Sequence, residues 1–491
     1  MAGANFMYSD QNIYGGDVEN MTYKNQWYWN FANNINNVTE NGWRRVTNSV
    51  FGSVQMAYNE YVSLDITARN DWSSTLPKDN NSYFYPSFNL GFVASDFVRT
   101  HWNKMPEWIT FAKVRLSAAK VGKDAPPYAI YNRWEGGYLK GQAKKPELSS
   151  TKANNNLRPE TSWSYEAGLD MKFLNNRLGF DFTYYYTRTT DQIMTIPEAA
   201  PWKLRWINSG LIVNKGVEAM IYATPVQTKD FTFNLNVNLS HNTSTVKELN
   251  EKKKHIYFEG DQFMPVYVGA VEGGKLGDIY AKRMYKRDEN GQIIMKNGVP
   301  VFTTDEQYSL DHPIGNIQPD LLMSVTPSFT YKGFTLSALF DMKFGGDVVS
   351  VSEAIATSHG ISKRTEQRGE LLLPGMNEDG TVNTQRIDAQ LFYQAVGGRQ
   401  QAVAEEFVYN ASFIRLKEIS FGYSFPSLLL RKTPVSSLRV SFVGRNLAYL
   451  MKHTPGTSPE GGYDTSMFSQ ALDFSSLPYS RTFGFSINVG F

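Results

Sequence analysis

The chain holds 491 residues with 49 basic against 47 acidic side chains, and it has no cysteine, which removes disulfides and thiolate metal sites. Aromatic residues reach 14% while mean hydropathy stays at -0.40, so large rings are spread among polar neighbours. No run approaches the ~18 apolar residues of a membrane helix, and the balanced charge, without a basic block, excludes a nucleic-acid-binding protein.

The opening "MAGANFMYSDQN" has no Lys or Arg before Lys24 and no apolar core, so it is not a signal peptide. Residues 1–44 are expected as a loop segment, with Trp27, Tyr28 and Trp29 inside it. From there period-two alternation recurs, a pattern that a helix cannot reproduce. Strands are predicted near 45–57, 61–71, 86–97, 109–122, 162–173, 177–189 and 212–223. In "FTFNLNVNLS" Phe231, Phe233, Leu235, Val237 and Leu239 share one face, and Thr232, Asn234, Asn236 and Asn238 the other. Further strands follow near 321–331 and in "FTLSALFDMKF". "SFIRLKEISFGYSF" puts Phe413, Ile419, Phe421, Tyr423 and Phe425 on one face. After a strand near 436–449 the chain ends on "RTFGFSINVGF", where Phe483, Phe485, Ile487, Val489 and Phe491 alternate with small or polar residues. About thirteen strands result, each near the ~10 residues that a tilted membrane strand needs.

The connections alternate in length. "NEY", "LNNR" and "YKGF" are short; "NDWSSTLPKDNNSYFY", the stretch around Trp202 and Trp206, and the segment of roughly sixty residues after "YKGF" are long. Short turns at one end and long loops at the other mark an outer-membrane barrel, with turns periplasmic and loops extracellular. The fold class is therefore all-β, an antiparallel transmembrane β-barrel portion with long extracellular loops. Within 251–319, Asn290-Gly291 and Asn297-Gly298 predict type I′ turns.

Asp65, Arg69, Asp181, Asp341 and Lys343 fall on the polar phase of their strands. A charge on the lipid face costs ~2–4 kcal/mol near the midplane, so these residues are assigned to the wet lumen. Trp43, Trp102 and Trp108 suit the aromatic girdles. Trp134 with Tyr138, and Trp202 with Trp206, join Trp27, Tyr28 and Trp29 as loop aromatics able to stack on sugars or peptide side chains, the alternative being packing within the loops.

An ordered series of motifs resembles the SusC/RagA-type TonB-dependent outer-membrane transporters. It runs through "ARNDWSSTLPKDNNSYFYPSFNLGF", "LRPETSWSYEAGLDMKFLNNRLGFDFTYYYTRTTDQI", "NKGVEAMI", "VEGGKLGDIY", "IGNIQPDLLMSVTPSFTYKGFTLSALFDMKFGGDV", "ASFIRLKEISFGYSFP" and "GRNLAYL". The resemblance implies active import of a large nutrient, an oligosaccharide or a peptide. It also implies a SusD-like surface lipoprotein as lid, the TonB complex as energy source, and a plug inside a barrel of roughly 22 strands. The plug, the energy-coupling segment and about nine strands are not legible here. Residues 45–491 are thus expected as the C-terminal part of such a barrel, in the outer membrane with the C-terminus periplasmic. Counting back thirteen strands places residues 1–44 outside the cell. The alternating terminal aromatic also resembles the signal read by the barrel insertion machinery. As a fragment, residues 1–491 are expected to give no energised uptake.

Two other classes stay open: a passive porin-like channel, disfavoured by an odd strand count, and a secreted all-β enzyme acting on glycans. No catalytic residue is assigned. His101, His241, His255, His312, His359 and His453 are scattered, and Asp311-His312 is expected as a solvated pair. No cofactor or metal site is assigned either; "NEDGT" and "RDENGQ" faintly resemble calcium loops and fit turns better, leaving calcium in the loops open.

Overall fold

A computed structural model describes residues 1–23, 32–102, 104–139, 142–249, 254–260, 264–456, 458–463 and 468–491. Fourteen strands follow one another in hydrogen-bonded order: β1 Ala2–Met21, β2 Ala32–Tyr58, β3 Val62–Ser73, β4 Ser82–Val93, β5 Ile109–Lys123, β6 Glu160–Phe173 and β7 Leu178–Pro197. They continue with β8 Leu204–Gln227, β9 Phe231–Glu248, β10 Leu321–Tyr331, β11 Phe334–Phe344, β12 Phe413–Ser424, β13 Ser437–Lys452 and β14 Thr482–Gly490. Two compact units divide the chain: Met1–Val93, Arg115–Ala167 and Tyr186–Val213 form one, and Ala94–Val114, Gly168–Tyr185 and Asn214–Phe491 the other.

The count corrects the expectation of about thirteen strands and of a loop over residues 1–44. β1 pairs antiparallel with β2 from Ala2 opposite Gly52 to Met21 opposite Ala32. Its period was hard to see because polar residues occupy both phases (Asn5, Ser9, Asp10, Gln11, Asn12) and the register shifts between Gly15 and Asp17. The pairing also moves the start of the chain. Ala2 and Gly52 lie toward the 59–61 turn, and the Met1 ammonium donates to the Ser53 carbonyl at 2.7 Å. The first residues therefore sit at the short-turn end of this ladder, not at the long-loop end.

Turn chemistry explains the short connections. Lys332 and Gly333 have φ of 46° and 91° and join Tyr331 to Phe334, the two-residue type I′ geometry whose twist matches the flanking strands. Asn59 and Glu60 likewise take positive φ, as do Leu174, Asn175 and Asn176. The length rule has exceptions. Residues 94–108 and 425–436 carry the helices Ala94–His101 and Ser427–Leu430, so β4 ends at Val93 where a strand to 97 was expected. The connection at Trp202 shrinks to 198–203, because Trp206 belongs to β8.

Within the second unit the wall is two-faced. Phe231 faces Tyr331, Phe233 stacks on Phe329 with centroids 4.7 Å apart, and Val237 faces Val325, while Thr232–Thr330 and Asn234–Ser328 pair on the other side. At the last ladder Val440 opposes Ile487 and Phe442 opposes Phe485. Phe485 is 81% exposed and Phe491 87%, so this apolar face carries no protein cover among the described residues.

Three long connections, 249–320, 345–412 and 453–481, share one hydrophobic core. Val349 pairs in parallel with Leu472, and Ile294 with Met376, joining segments far apart in sequence. Around these pairs Val268, Ile279, Val351, Val396 and Phe407 are fully buried. The helix Val351–Ser358 starts on Ser350, whose hydroxyl accepts from the Glu353 amide; Asp388 caps Ala389–Val396 in the same way. Asn297 and Gly298 form the expected type I′ turn, with φ of 52° and 76°. Asn290-Gly291 does not: only Gly291 has positive φ, and the Asp288 carboxylate organises the turn by accepting from the amides of Asn290 and Gln292.

Candidate functional site

The inward face of β11 to β13 depends on one extra residue. Along β12 Glu418 opposes Leu339 but Leu416 opposes Phe340, so Lys417 is a bulge. A one-residue insertion inverts the phase beyond it. Phe413, expected beside Phe421 on the outward face, instead turns inward opposite Lys343 and is only 3% exposed. Arg415 turns inward with it, opposite Asp341. Strict alternation would have aimed that guanidinium at the apolar side.

Arg415 is 5% exposed and ties three elements together. Its Nη2 donates to Asp341 Oδ2 at 2.7 Å on β11, and its Nη1 lies 2.6 Å from Glu460 Oε2 in the last long connection. Lys417 Nζ reaches the same Asp341 oxygen at 3.1 Å, and the Tyr449 hydroxyl from β13 lies 3.0 Å from Glu460. Asp341 and Lys343 thus share one face of the sheet with Arg415 and Phe413. Asp181 shares a recess of about 520 Å³ with Glu218, Asn238, Ser324 and Asp341, on the same polar phase.

In the first unit, Arg69 Nε donates to Asp71 at 2.7 Å and Nη2 to Ser49 at 2.8 Å, and the Tyr85 hydroxyl donates to Asp71. Asp65 opposes Gln55 and Asn89 and is half-buried. Toward the long-loop end this face is closed. Thr47, Ser49, Asp71, Ser73, Thr75 and Asp124 are all buried. Asp124 accepts from Ser73 and, at 3.0 Å, from Thr75, and it pairs with Arg45 at 2.9 Å. A carboxylate from the β5–β6 connection therefore locks that connection onto β2 and β3. The polar side chains of this stretch are thus covered by a carboxylate distant in sequence from the strands it meets.

The loop aromatics separate. Trp27, Tyr28 and Trp29 lie outside the described residues. Trp134 begins the strand Trp134–Leu139, opposite Leu148, and is 71% exposed. Tyr138 is placed by its backbone opposite Ala143; its side chain lies outside what is described. Trp202 sits in the β7–β8 turn, its amide donating to the Ala199 carbonyl at 3.2 Å. Trp206 is a packing residue: it covers a small core of Leu76, Ala125, Ala129, Ile130 and Leu157. Trp206→Ala is expected to cost roughly 3 kcal/mol and to raise protease sensitivity around 124–159. Trp134→Ala is expected to change stability by less than about 0.5 kcal/mol. Equal losses in a thermal-melt comparison would contradict this division. Of the girdle set, Trp43 donates to the Gln11 side chain across β1–β2, and Trp108 stacks on Phe173 at 5.7 Å. Trp102 and Trp108 are both exposed.

Among the described residues no three His, Asp or Glu side chains group as metal ligands. Asp379 accepts from the Thr381 amide and hydroxyl, at 3.0 and 2.6 Å, as Asp288 does from its own turn. His312 stacks on Tyr308 while Asp311 accepts from Gln307 at 2.8 Å, so the pair forms no base and orienter.

A run of fourteen hydrogen-bonded strand neighbours, apolar and uncovered on one side at its last ladder, belongs with β-barrels. Residues 2–278 match the family model described as TonB dependent receptor-like, beta-barrel. The chain belongs to that TonB-dependent receptor family. TonB-dependent receptor P3 of Formosa agariphila is 27% identical over 474 residues, covering 90% of this chain and 45% of the relative. TonB-dependent receptor SusC of Bacteroides thetaiotaomicron is 25% identical over 451 residues, covering 87% and 43%. The chain thus spans less than half the length of these relatives. A solved structure described as the RagAB peptide transporter superposes with a TM-score of 0.74 at 18% identity, covering 99% of this chain and 52% of that one. The SusC/RagA resemblance seen in the motifs agrees with all three.

Proposed function

We propose that the chain is the barrel part of an outer-membrane transporter that actively imports a large nutrient, an oligosaccharide or a peptide. The observation that carries this reading is the family match over residues 2–278, which lies on the two-faced wall. In it the long connections are extracellular and the C-terminus periplasmic, a SusD-like lipoprotein covers the loops, and the TonB complex supplies energy from the periplasm. The named SusC and RagAB relatives support these partners. Among the described residues the wall has fourteen strands, so strand parity does not separate the import reading from the porin reading. What favours active import is the family.

Uptake of labelled oligosaccharides and peptides by cells carrying the full-length gene tests this. Accumulation that disappears when TonB is deleted is the expected result. Uptake that persists unchanged without TonB would overturn the reading in favour of passive diffusion.

The lipid-facing role of β14 gives a separate expectation. Phe485→Lys places a charge among acyl chains at a cost of ~2–4 kcal/mol, whereas Asn488→Lys, on the other phase, costs little. Heat-modifiable barrel in the outer membrane should fall for the first variant only. Equal yields for the two would count against both the lipid-facing assignment and the part of Phe483, Phe485, Ile487, Val489 and Phe491 in recognition by the insertion machinery.

A further inference from the structure

At the short-turn end the apolar face finishes in a run of rings. Tyr331 opposes Phe334 across the Lys332–Gly333 turn, Phe334 lies 4.5 Å from Tyr423 between centroids, and Tyr423 lies 5.0 Å from Phe425. Aromatic side chains collect where acyl chains give way to headgroups, so these rings mark a membrane boundary. One connection carries apolar side chains past it. In residues 425–436, between β12 and β13, Leu428 is 76% exposed and Leu429 66%, whereas Leu430 is buried.

This connection is a built turn. The Leu429 amide donates to the Pro426 carbonyl at 3.0 Å, and the Thr433 amide and hydroxyl both donate to the Leu430 carbonyl at 2.8 Å. The Phe425 amide donates to the Leu438 carbonyl at 2.9 Å and the Ser436 amide to the Gly490 carbonyl at 2.8 Å, which ties the turn to β13 and β14. Two neighbouring leucines are thus held outside the protein's own cover, although each gains from leaving water. Arg431 and Lys432 follow them directly, both exposed, and residues 425–439 contain no Asp or Glu. The leucines continue the apolar face through Phe425 and through Leu438, which opposes Val489. Apolar side chains continuous with a lipid-facing wall and adjoining two cations match acyl chains beneath an anionic headgroup. Long cationic side chains lay their stems along the acyl layer and keep their charges at phosphate level.

We propose that residues 426–432 form an interfacial lipid site, in which Leu428 and Leu429 enter the acyl layer and Arg431 and Lys432 hold the phosphate of an anionic phospholipid. The inference rests on the membrane-facing wall of the import reading and is independent of active uptake. The chain has no cysteine, so Leu428→Cys in the full-length protein takes an environment-sensitive fluorophore, with unsubstituted protein treated alike as background. The labelled protein is placed in phosphatidylcholine nanodiscs holding a minor lipid with a quencher on its acyl chain. That lipid carries either a phosphatidylglycerol or a phosphatidylcholine headgroup. Glu378→Cys, exposed in the 377–381 turn of the long connections, is the water-facing control. Arg431→Gln with Lys432→Gln, added to Leu428→Cys, tests the headgroup contact, and heat-modifiability reports that each variant is folded.

The label at 428 is expected to be quenched and the label at 378 to stay bright. Phosphatidylglycerol should be preferred by at least fivefold, a preference weakened by salt and reduced to near one in the double variant. Water-like emission at 428 overturns the proposal. So does water-poor emission that neither lipid quenches, because protein rather than lipid would then cover the leucines. Quenching that ignores the headgroup, or a preference that survives the double variant, overturns it as well. TonB-dependent uptake without lipid preference sinks this inference alone. Lipid preference without TonB-dependent uptake sinks the import reading and leaves the lipid site.

Discussion

Arg415→Met is expected to destabilise the protein by about 3 kcal/mol and to release the last long connection. The arginine is nearly fully buried, and its loss leaves Asp341 and Glu460 facing each other's field without their shared cation. Breaking such a pair costs far more than the pair contributes against an apolar substitute, because the desolvated charge that remains has no partner. Both carboxylates keep about a quarter of their side-chain exposure, which holds the cost at the lower end of the usual ~3–5 kcal/mol. Lys417 stays near Asp341 and softens one side only, so the connection carrying Glu460 should loosen most. A lower thermal transition of the heat-modifiable form and faster proteolysis within 453–481 are the readouts. Adding Asp341→Asn and Glu460→Gln should restore most of the loss. If the triple variant is no better than Arg415→Met, packing rather than charge explains the effect.

Phe407→Ala is expected to cost ~3–5 kcal/mol and to unfold the long connections while the strands of the wall persist. Phe407 is fully buried in the core shared by 249–320, 345–412 and 453–481, and Arg364 lies over its ring at 4.9 Å while pairing with Glu406. The removed ring leaves a cavity in the core that these segments share, so the loss concentrates in one cooperative unit. Limited proteolysis should cut within 249–320 and 345–412 at protease levels that leave the wild type intact. The wall, held by its own ladders, should remain heat-modifiable. Loss of both together would show that the loops and the wall fold as one unit.

These two sites differ in how far the sequence announced them. The segment 251–319 was expected to have structure, and its Asn297-Gly298 turn was visible, but nothing local shows that Val349 meets Leu472 or that Ile294 meets Met376. Trp206 looked like a loop aromatic because the start of β8 was placed too late; its partners Leu76 and Ile130 come from two other connections. Asp124 carries no motif of its own, and its role becomes visible only when Ser73 and Thr75 are brought against it.

By itself the sequence determined the two-faced wall, the phase of Asp181, Asp341 and Lys343, the short turns at 59–61, 174–177 and 332–333, and the outward set ending in Phe491. Each is written in neighbouring residues, since side-chain alternation and positive-φ turns are properties of a few consecutive positions. Tertiary structure alone decided the rest: β1 as a fourteenth strand, the bulge at Lys417 that turns Phe413 and Arg415 inward, and the cores and ion pairs that join distant connections. The reason is that register and bulges depend on what the partner strand offers. An extra residue in β12 costs little locally, and its placement is chosen by burying an arginine between Asp341 and Glu460, 74 residues back along the chain on β11 and ahead in the last long connection.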